Sequence, residues 1–241
     1  MNYVFLRNEY KYFLTPAQHK EWLEVISPHM YLDQYGQSTI QSLYYDTDSN
    51  LLVRRSIEKP EYKEKIRIRS YGLAQENGKI FVELKKKYDD NVFKRRVCMN
   101  YSDAKRFISG EVTYNDSQIS REITYFRDFY KSLKPSMLLI YDRTAYYCDE
   151  RPDLRITFDE NIRYRDYDLS LAKGLYGNNL SNGRILMEIK TGTAFPMWLA
   201  RALSERKIFK TSFSKYGTAY GIQLKAELSH TQYAEIAATN V

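Results

Sequence analysis

The chain has 241 residues, with 37 Lys and Arg against 30 Asp and Glu and a net charge of +7. At 43% hydrophobic and 15% aromatic, with 23 tyrosines, it reads as a folded globular protein, which excludes a disordered or collagen-like chain. No apolar run reaches the roughly 18–20 residues that a bilayer span needs, and Met1 to Tyr12 is no signal-peptide core. The expectation is a soluble, cytoplasmic protein whose basic surplus favours an anionic partner.

Thr15-Pro16-Ala17-Gln18 is a capping-box start with proline at the first helical position, and Trp22, Leu23, Val25 and Ile26 supply the apolar face of that helix. Strand alternation follows. In Tyr62 to Tyr71, Lys63, Lys65, Arg67 and Arg69 share one face while Ile66 and Ile68 point the other way. In Lys79 to Lys87, Glu83, Lys85 and Lys87 oppose Ile80, Val82 and Leu84; in Val92 to Cys98, Lys94 and Arg96 oppose Phe93 and Val97. A short helix follows Ser102 and stops near Gly110, and Ile119, Ile123, Phe126, Tyr130 and Leu133 mark a helix over about 118–133 that Pro135 ends. Two more strands repeat the partition. Arg155, Thr157 and Asp159 lie opposite Leu154, Ile156 and Phe158, and Arg184, Glu188 and Lys190 lie opposite Ile185, Met187 and Ile189. Two helices near the end, about 196–207 and 214–228, complete the set. No Pro/Gly/Ser-rich linker or repeat divides the chain, so 1–241 reads as a single domain.

An ordinary antiparallel sheet with its charges in water would explain any one of these strands. As a set they concentrate Arg and Lys around single carboxylates, and the apolar helix faces need a sheet to cover. The expected architecture is therefore α+β, an antiparallel β-barrel with helices outside and the charged faces turned into its lumen. Crowded like charges repel unless a polyanion neutralises them. Nucleic acid is disfavoured because no RNP-like, KH or helix-turn-helix signature is present. Phosphate chains fit better, with Arg forks and Lys point charges on the oxygens and a carboxylate for a bridging divalent cation. Walker A and GxGxxG sequences are absent. His19, His29 and His230 form no HExxH or HxH, and Cys98 and Cys148 read as two buried small hydrophobes.

Seven segments in order resemble a known family: Arg7-Asn8-Glu9-Tyr10-Lys11-Tyr12, Lys65-Ile66-Arg67-Ile68-Arg69-Ser70-Tyr71-Gly72, Phe81-Val82-Glu83-Leu84-Lys85, Tyr141-Asp142-Arg143-Thr144-Ala145, Leu154-Arg155-Ile156-Thr157-Phe158-Asp159, Met187-Glu188-Ile189-Lys190 and Phe213-Ser214-Lys215-Tyr216. Together they resemble the VTC domain, the polyphosphate polymerase domain of the vacuolar transporter chaperone type and a branch of the triphosphate tunnel metalloenzymes, from about residue 3 to 220. The resemblance implies an eight-stranded tunnel barrel. It also implies transfer of the terminal phosphoryl group of ATP to a growing polyphosphate chain, with Mn²⁺ or Mg²⁺ as cofactor.

Carried over position by position, Lys11, Arg67, Arg69, Lys85, Lys94, Tyr141, Arg143, Arg155, Lys190, Ser214 and Lys215 are implied phosphate contacts. Arg67, Arg69, Lys85, Arg143 and Glu188 carry catalysis, and Glu188 with Glu9 would hold the metal. Arg7 stands where the wider superfamily has a first glutamate, and Ser212 where some polymerases have a lysine. The implied ligands are ATP and inorganic polyphosphate or triphosphate. Because 1–241 reads as the domain alone, export of product would call on a separate membrane partner protein. A triphosphate hydrolase and a non-catalytic polyphosphate-binding module are the alternatives. For single residues, Glu83 with Lys85 reads equally as a cross-strand ion pair, Glu9 as a partner of Lys11, Lys86, Lys87 and Arg95 as solvent-facing or rim groups, and Tyr44, Tyr45, Tyr146 and Tyr147 as walls and packing.

Overall fold

Every strand read from alternation forms, and all join one antiparallel sheet. The structure is a computed structural model and describes residues 8–89 and 91–239, with side chains to residue 229; Arg7 and His230 fall outside this description. In chain order the elements are β1 (Asn8–Leu14), α1 (Pro16–Ile26), β2 (Tyr31–Asp46), α2 (Leu51–Glu58), β3 (Tyr62–Tyr71), β4 (Lys79–Tyr88), β5 (Asn91–Asn100), α3 (Tyr101–Ser109), α4 (Gln118–Tyr130), β6 (Lys134–Tyr147), β7 (Arg155–Arg165), β8 (Asn178–Asn179), β9 (Ile185–Thr191), α5 (Met197–Glu205), β10 (Lys210–Thr211) and α6 (Lys215–Thr239).

The ten-stranded sheet runs β10-β1-β9-β7-β6-β2-β3-β4-β5, with β8 on β7. Its two ends do not pair, so the expected closed eight-stranded barrel is corrected to an open sheet. The end strands give a reason. β10 is two residues long and carries Lys210, opposite Tyr12 of β1, while β5 presents Lys94, Arg95 and Arg96 along its free edge. Joining those edges would set like charges opposite one another, which disfavours pairing.

Alternation sorts the side chains. On one face, Ile66, Ile68, Val82 and Leu84 pack with Phe107 of α3 and Ile123 and Phe126 of α4, while Ile156, Phe158, Met187 and Ile189 pack with Trp22 of α1 and Leu199 of α5. The charged residues take the opposite face, where a third cluster of Tyr44, Leu139, Tyr141, Leu186 and Tyr216 seats the start of α6. Local signals hold where they were strong: Thr15 and Gln18 close the capping box of α1, and Gly110 ends α3 with φ 88°. Helix α4 stops at Tyr130, ahead of the expected 133, with Lys131 at φ 57°. Strands β2 and β6 escape alternation because their middles, Ile40 to Tyr45 and Met137 to Tyr141, are buried on both faces. Cys148 is buried as expected but Cys98 is exposed, on the open edge strand. Among the described residues no helix is long and apolar enough to cross a membrane.

Candidate functional site

The charged face is built by register. Tyr44 of β2 sits opposite Arg67 of β3, Arg67 opposite Glu83 of β4, and Glu83 opposite Arg96 of β5. Glu83 is 1% exposed. It accepts from Arg67 Nε at 2.8 Å and Arg96 Nε at 2.7 Å, with Lys94 Nζ at 2.9 Å and Arg69 Nη1 at 3.8 Å. Four cations therefore share one carboxylate. Burial alone would raise its pKa, but Arg67, Arg69 and Lys94 hold it far below the usual carboxylate range. The cross-strand reading of Glu83 is right in kind, although its partner is not Lys85.

A second knot forms on β6, β7 and β9. Asp159 is fully buried and takes Arg143 Nη2 at 2.7 Å, while Arg143 also reaches Glu188 Oε2 at 3.2 Å. Lys215, at the start of α6, bridges the same pair, bonded to Asp159 and 3.3 Å from Glu188 Oε1. Lys11 and Lys190 stand 4.0 and 3.9 Å from Glu188, and Glu9 lies 3.2 Å from Lys11 and 3.8 Å from Lys190. Burial pushes the Glu188 carboxyl upward, but Lys215, Arg143, Lys190 and Lys11 outweigh it and leave it deeply ionised. At Lys190 the balance reverses: burial exceeds the pull of Glu188 and Glu9, and its pKa is lowered.

Tyrosines join the two knots. Tyr141 Oη accepts from Arg69 at 3.2 Å, and its ring lies under Arg143 and Lys215 at 5.2 and 4.7 Å. Tyr44 Oη accepts from Arg67 at 2.7 Å, and its ring stacks on Tyr216 at 4.4 Å. Burial raises the Tyr44 pKa, but Arg67, Lys65 and Arg69 bring it down to about 8. Tyr216 in turn donates to Asp46, whose carboxylate also caps the backbone N–H groups of Leu52 and Val53 at the start of α2. The end of β2 thus anchors both α2 and α6.

Of the expected site residues, Lys11, Arg67, Arg69, Lys94, Tyr141, Arg143, Glu188, Lys190, Lys215 and Glu9 lie in these knots. Lys85 shares the face, with no ion pair among the described residues. Arg155 stands apart, 45% exposed and paired with Asp33. Ser214 spends its hydroxyl on the Gly217 N–H of its own helix. Sequence reasoning passed over Lys65, Tyr44, Arg96 and Asp159 as site residues, although the alternation of KEKIRIR, VFKRRV and LRITFD already put three of them on the charged face.

Lys65 is distinctive because among the described residues no carboxylate lies within ion-pair distance of it. Burial, then Lys85, Lys11 and Lys63, depress its ammonium to about 8 despite the pull of Tyr44. Lys85 lies directly opposite it in register.

The metal expectation is corrected. Among the described residues no group of three or more His, Cys, Asp or Glu side chains is placed to hold a metal ion. Glu188 and Glu9 have their oxygens engaged by lysines and Arg143, so the donor set fits cations of the chain itself and does not fit Mn²⁺ or Mg²⁺.

The VTC domain family matches residues 6–223. Subunit 4 of the vacuolar transporter chaperone complex of Schizosaccharomyces pombe is 25% identical over 189 residues, covering 66% of this chain and 26% of that protein, so the chain spans about a quarter of its relative's length. Among solved structures, a proposed adenylate cyclase from Bacillus halodurans superposes with a TM-score of 0.54 at 12% identity, over 86% of this chain and 92% of that one, a likeness of fold. A second proposed adenylate cyclase, from Vibrio parahaemolyticus, gives a TM-score of 0.47 at 12% identity over 89% and 97% of the two chains. With the match running over most of the sequence and the seven motifs standing in order, the chain belongs to the VTC domain family.

Proposed function

We propose that the protein transfers the terminal phosphoryl group of ATP to the end of a growing inorganic polyphosphate chain held on the charged face. The observation that carries this reading is the pair Lys65 and Lys85, opposite one another in register and, among the described residues, with no carboxylate within ion-pair distance, Glu9 acting on Lys85 only from further off. Two ammonium groups in that relation repel, and a polyanion across them converts the repulsion into binding.

Arg67, Arg69 and Arg143 are held rigidly by Glu83, Asp159 and Glu188, which suits them to bind phosphate oxygens in place and to stabilise charge developing on the transferred group. The attacking group is a terminal phosphate oxygen that is anionic at neutral pH, so no general base is needed. Phosphoryl transfer then rests on positioning and electrostatics. Lys11, Lys190 and Lys215 neutralise the tail, and Glu188 orients Arg143 and Lys215.

The test is to incubate the purified protein with ATP and quantify ADP, free phosphate and polymer on a gel. ADP with polymer and little phosphate supports the reading. ADP matched by free phosphate replaces it with a hydrolase, and no turnover despite triphosphate binding replaces it with a binding module.

A further inference from the structure

The opposite face of the sheet carries a second constellation, unrelated to the phosphate site. Glu64 on β3 turns away from Lys63 and Lys65 into the outer layer, where it is 9% exposed. Its two oxygens accept one hydrogen bond each, from Tyr62 Oη and Tyr130 Oη, both at 2.7 Å. Both partners are neutral hydroxyls, and burial followed by Glu64 itself raises their pKa values, keeping them protonated. Among the described residues no ion pair involves Glu64, although Lys86 is its cross-strand neighbour. A buried carboxylate in that state lacks a cation.

The carboxylate opens into a cleft of about 310 Å³ between β3, β4 and α4, at the lower end of the range for small-molecule sites. Tyr62, Tyr125, Phe129 and Tyr130 line it. Phe129 meets Tyr130 edge-on at 84° and lies nearly parallel to Tyr125 at 25°, so the rings form walls in two orientations. Tyr125 and Phe129 are 69% and 62% exposed, more than core packing explains. Aromatic faces around a carboxylate are the chemistry that recognises an organic ammonium. Arg55 and Lys86 also line the cleft, which disfavours a second positive charge and offers partners for an anionic group.

We propose that this cleft binds a small molecule bearing both an organic ammonium and a phosphate, the ammonium against Glu64 and the rings, the phosphate against Arg55 and Lys86. The charges balance: one carboxylate and a doubly ionised phosphate against two side-chain cations and the ammonium. The site is independent of phosphoryl transfer, being on the other face of the sheet.

Calorimetric titration with phosphocholine, choline and inorganic phosphate tests it. Phosphocholine is expected to bind one site at least about tenfold more tightly than choline or phosphate, and saturating tripolyphosphate should leave that binding intact. Phe129→Ala, at an exposed position that leaves the fold in place, should weaken phosphocholine about tenfold, as should Glu64→Gln. Arg55→Ala should weaken phosphocholine and leave choline unchanged. The proposal is overturned if neither phosphocholine nor choline gives saturable binding up to about 10 mM, if tripolyphosphate displaces phosphocholine, or if Phe129→Ala binds like the parent.

Discussion

Raising the pH from about 7 to about 9 should weaken tripolyphosphate binding about tenfold, through Lys65. Its ammonium titrates near 8 in the free protein, below the ordinary 10.5, because burial and then Lys85, Lys11 and Lys63 disfavour the charge. A bound polyanion favours the charged form, so complex formation above pH 8 takes up a proton. Affinity is therefore full below about 8 and falls as pH rises through it. The protonated fraction drops from about nine-tenths to about one-tenth over this range, a loss of ~1.4 kcal/mol for one linked proton. Tyr44, also titrating near 8, acquires negative charge over the same interval and steepens the fall. In the free protein the sign is opposite. The unfolded chain holds both protons to higher pH, so these two groups make the fold more stable as pH rises from about 8 toward 10.

Isothermal titration at matched ionic strength, with the Lys65→Arg and Tyr44→Phe double variant beside the parent, isolates the linkage. Titration of the ligand's own phosphates is common to both proteins. The double variant should show a slope shallower by at least one proton; equal slopes would refute the assignment. Lys65→Met supplies a second check, because it removes a cation that burdens the empty fold. It should stabilise the empty protein at pH 7 by ~1–2 kcal/mol once solvent screening is allowed for, read as a higher melting temperature, while weakening tripolyphosphate.

Other perturbations follow from the same contacts. Glu83→Gln strips four cations of their common anion and should destabilise the empty protein by about 3–5 kcal/mol, with added tripolyphosphate restoring much of the loss in a thermal melt. Arg143→Ala should abolish triphosphate binding while circular dichroism reports an intact fold; unaltered affinity would remove the charged face as the binding site. Arg165, fully buried, donates to the carbonyls of Asp168, Ser170, Gly174 and Tyr176. Arg165→Lys cannot span four acceptors and should cost about 2–4 kcal/mol in denaturant unfolding, without changing triphosphate affinity at temperatures where the variant is folded.

Strands that alternate charged or polar with apolar side chains announce themselves in a sequence, and β3, β4, β5, β7 and β9 were legible for that reason. β2 and β6 were not, because the buried middle of each runs apolar or aromatic side chains onto both faces, as in Leu43 to Tyr45 and Met137 to Tyr141, and loses the period of two. Closure of the sheet was a further inference from crowded charge, and it failed because crowding can be relieved locally. Glu83 on β4 gathers the arginines of its two neighbouring strands, β3 and β5, and Asp159 with Glu188 gathers Arg143 and Lys215 across β6, β7 and β9, so the sheet need not close around them. The metal assignment failed for a related reason. Glu188 was legible as an important carboxylate, but the sequence does not reveal that Lys215 arrives from α6 and Arg143 from β6 to occupy its oxygens.

The two kinds of cation on this face are treated differently, and the difference bears on how a phosphate chain is handled. The arginines are tied: Arg67 and Arg96 to Glu83, Arg143 to Asp159 and Glu188, and Arg69 to the hydroxyls of Ser42 and Tyr141 with Glu83 at 3.8 Å, so that each fork keeps its direction fixed. Fixed forks suit the reacting phosphates, where geometry determines rate. Among the described residues Lys65 and Lys85 have no such anchor. As point charges on long stems they can follow an anion whose oxygens have no set position, as those of a polymer moving by one unit per cycle would not. Exchanging the kinds separates the roles. Arg67→Lys should reduce kcat more than it weakens polyphosphate binding, whereas Lys85→Ala should weaken binding of long polyphosphate and shorten the polymer made, with a smaller change in the rate of the first transfer. If both variants lower kcat and polymer affinity in the same proportion, the division between fixed and mobile cations is wrong.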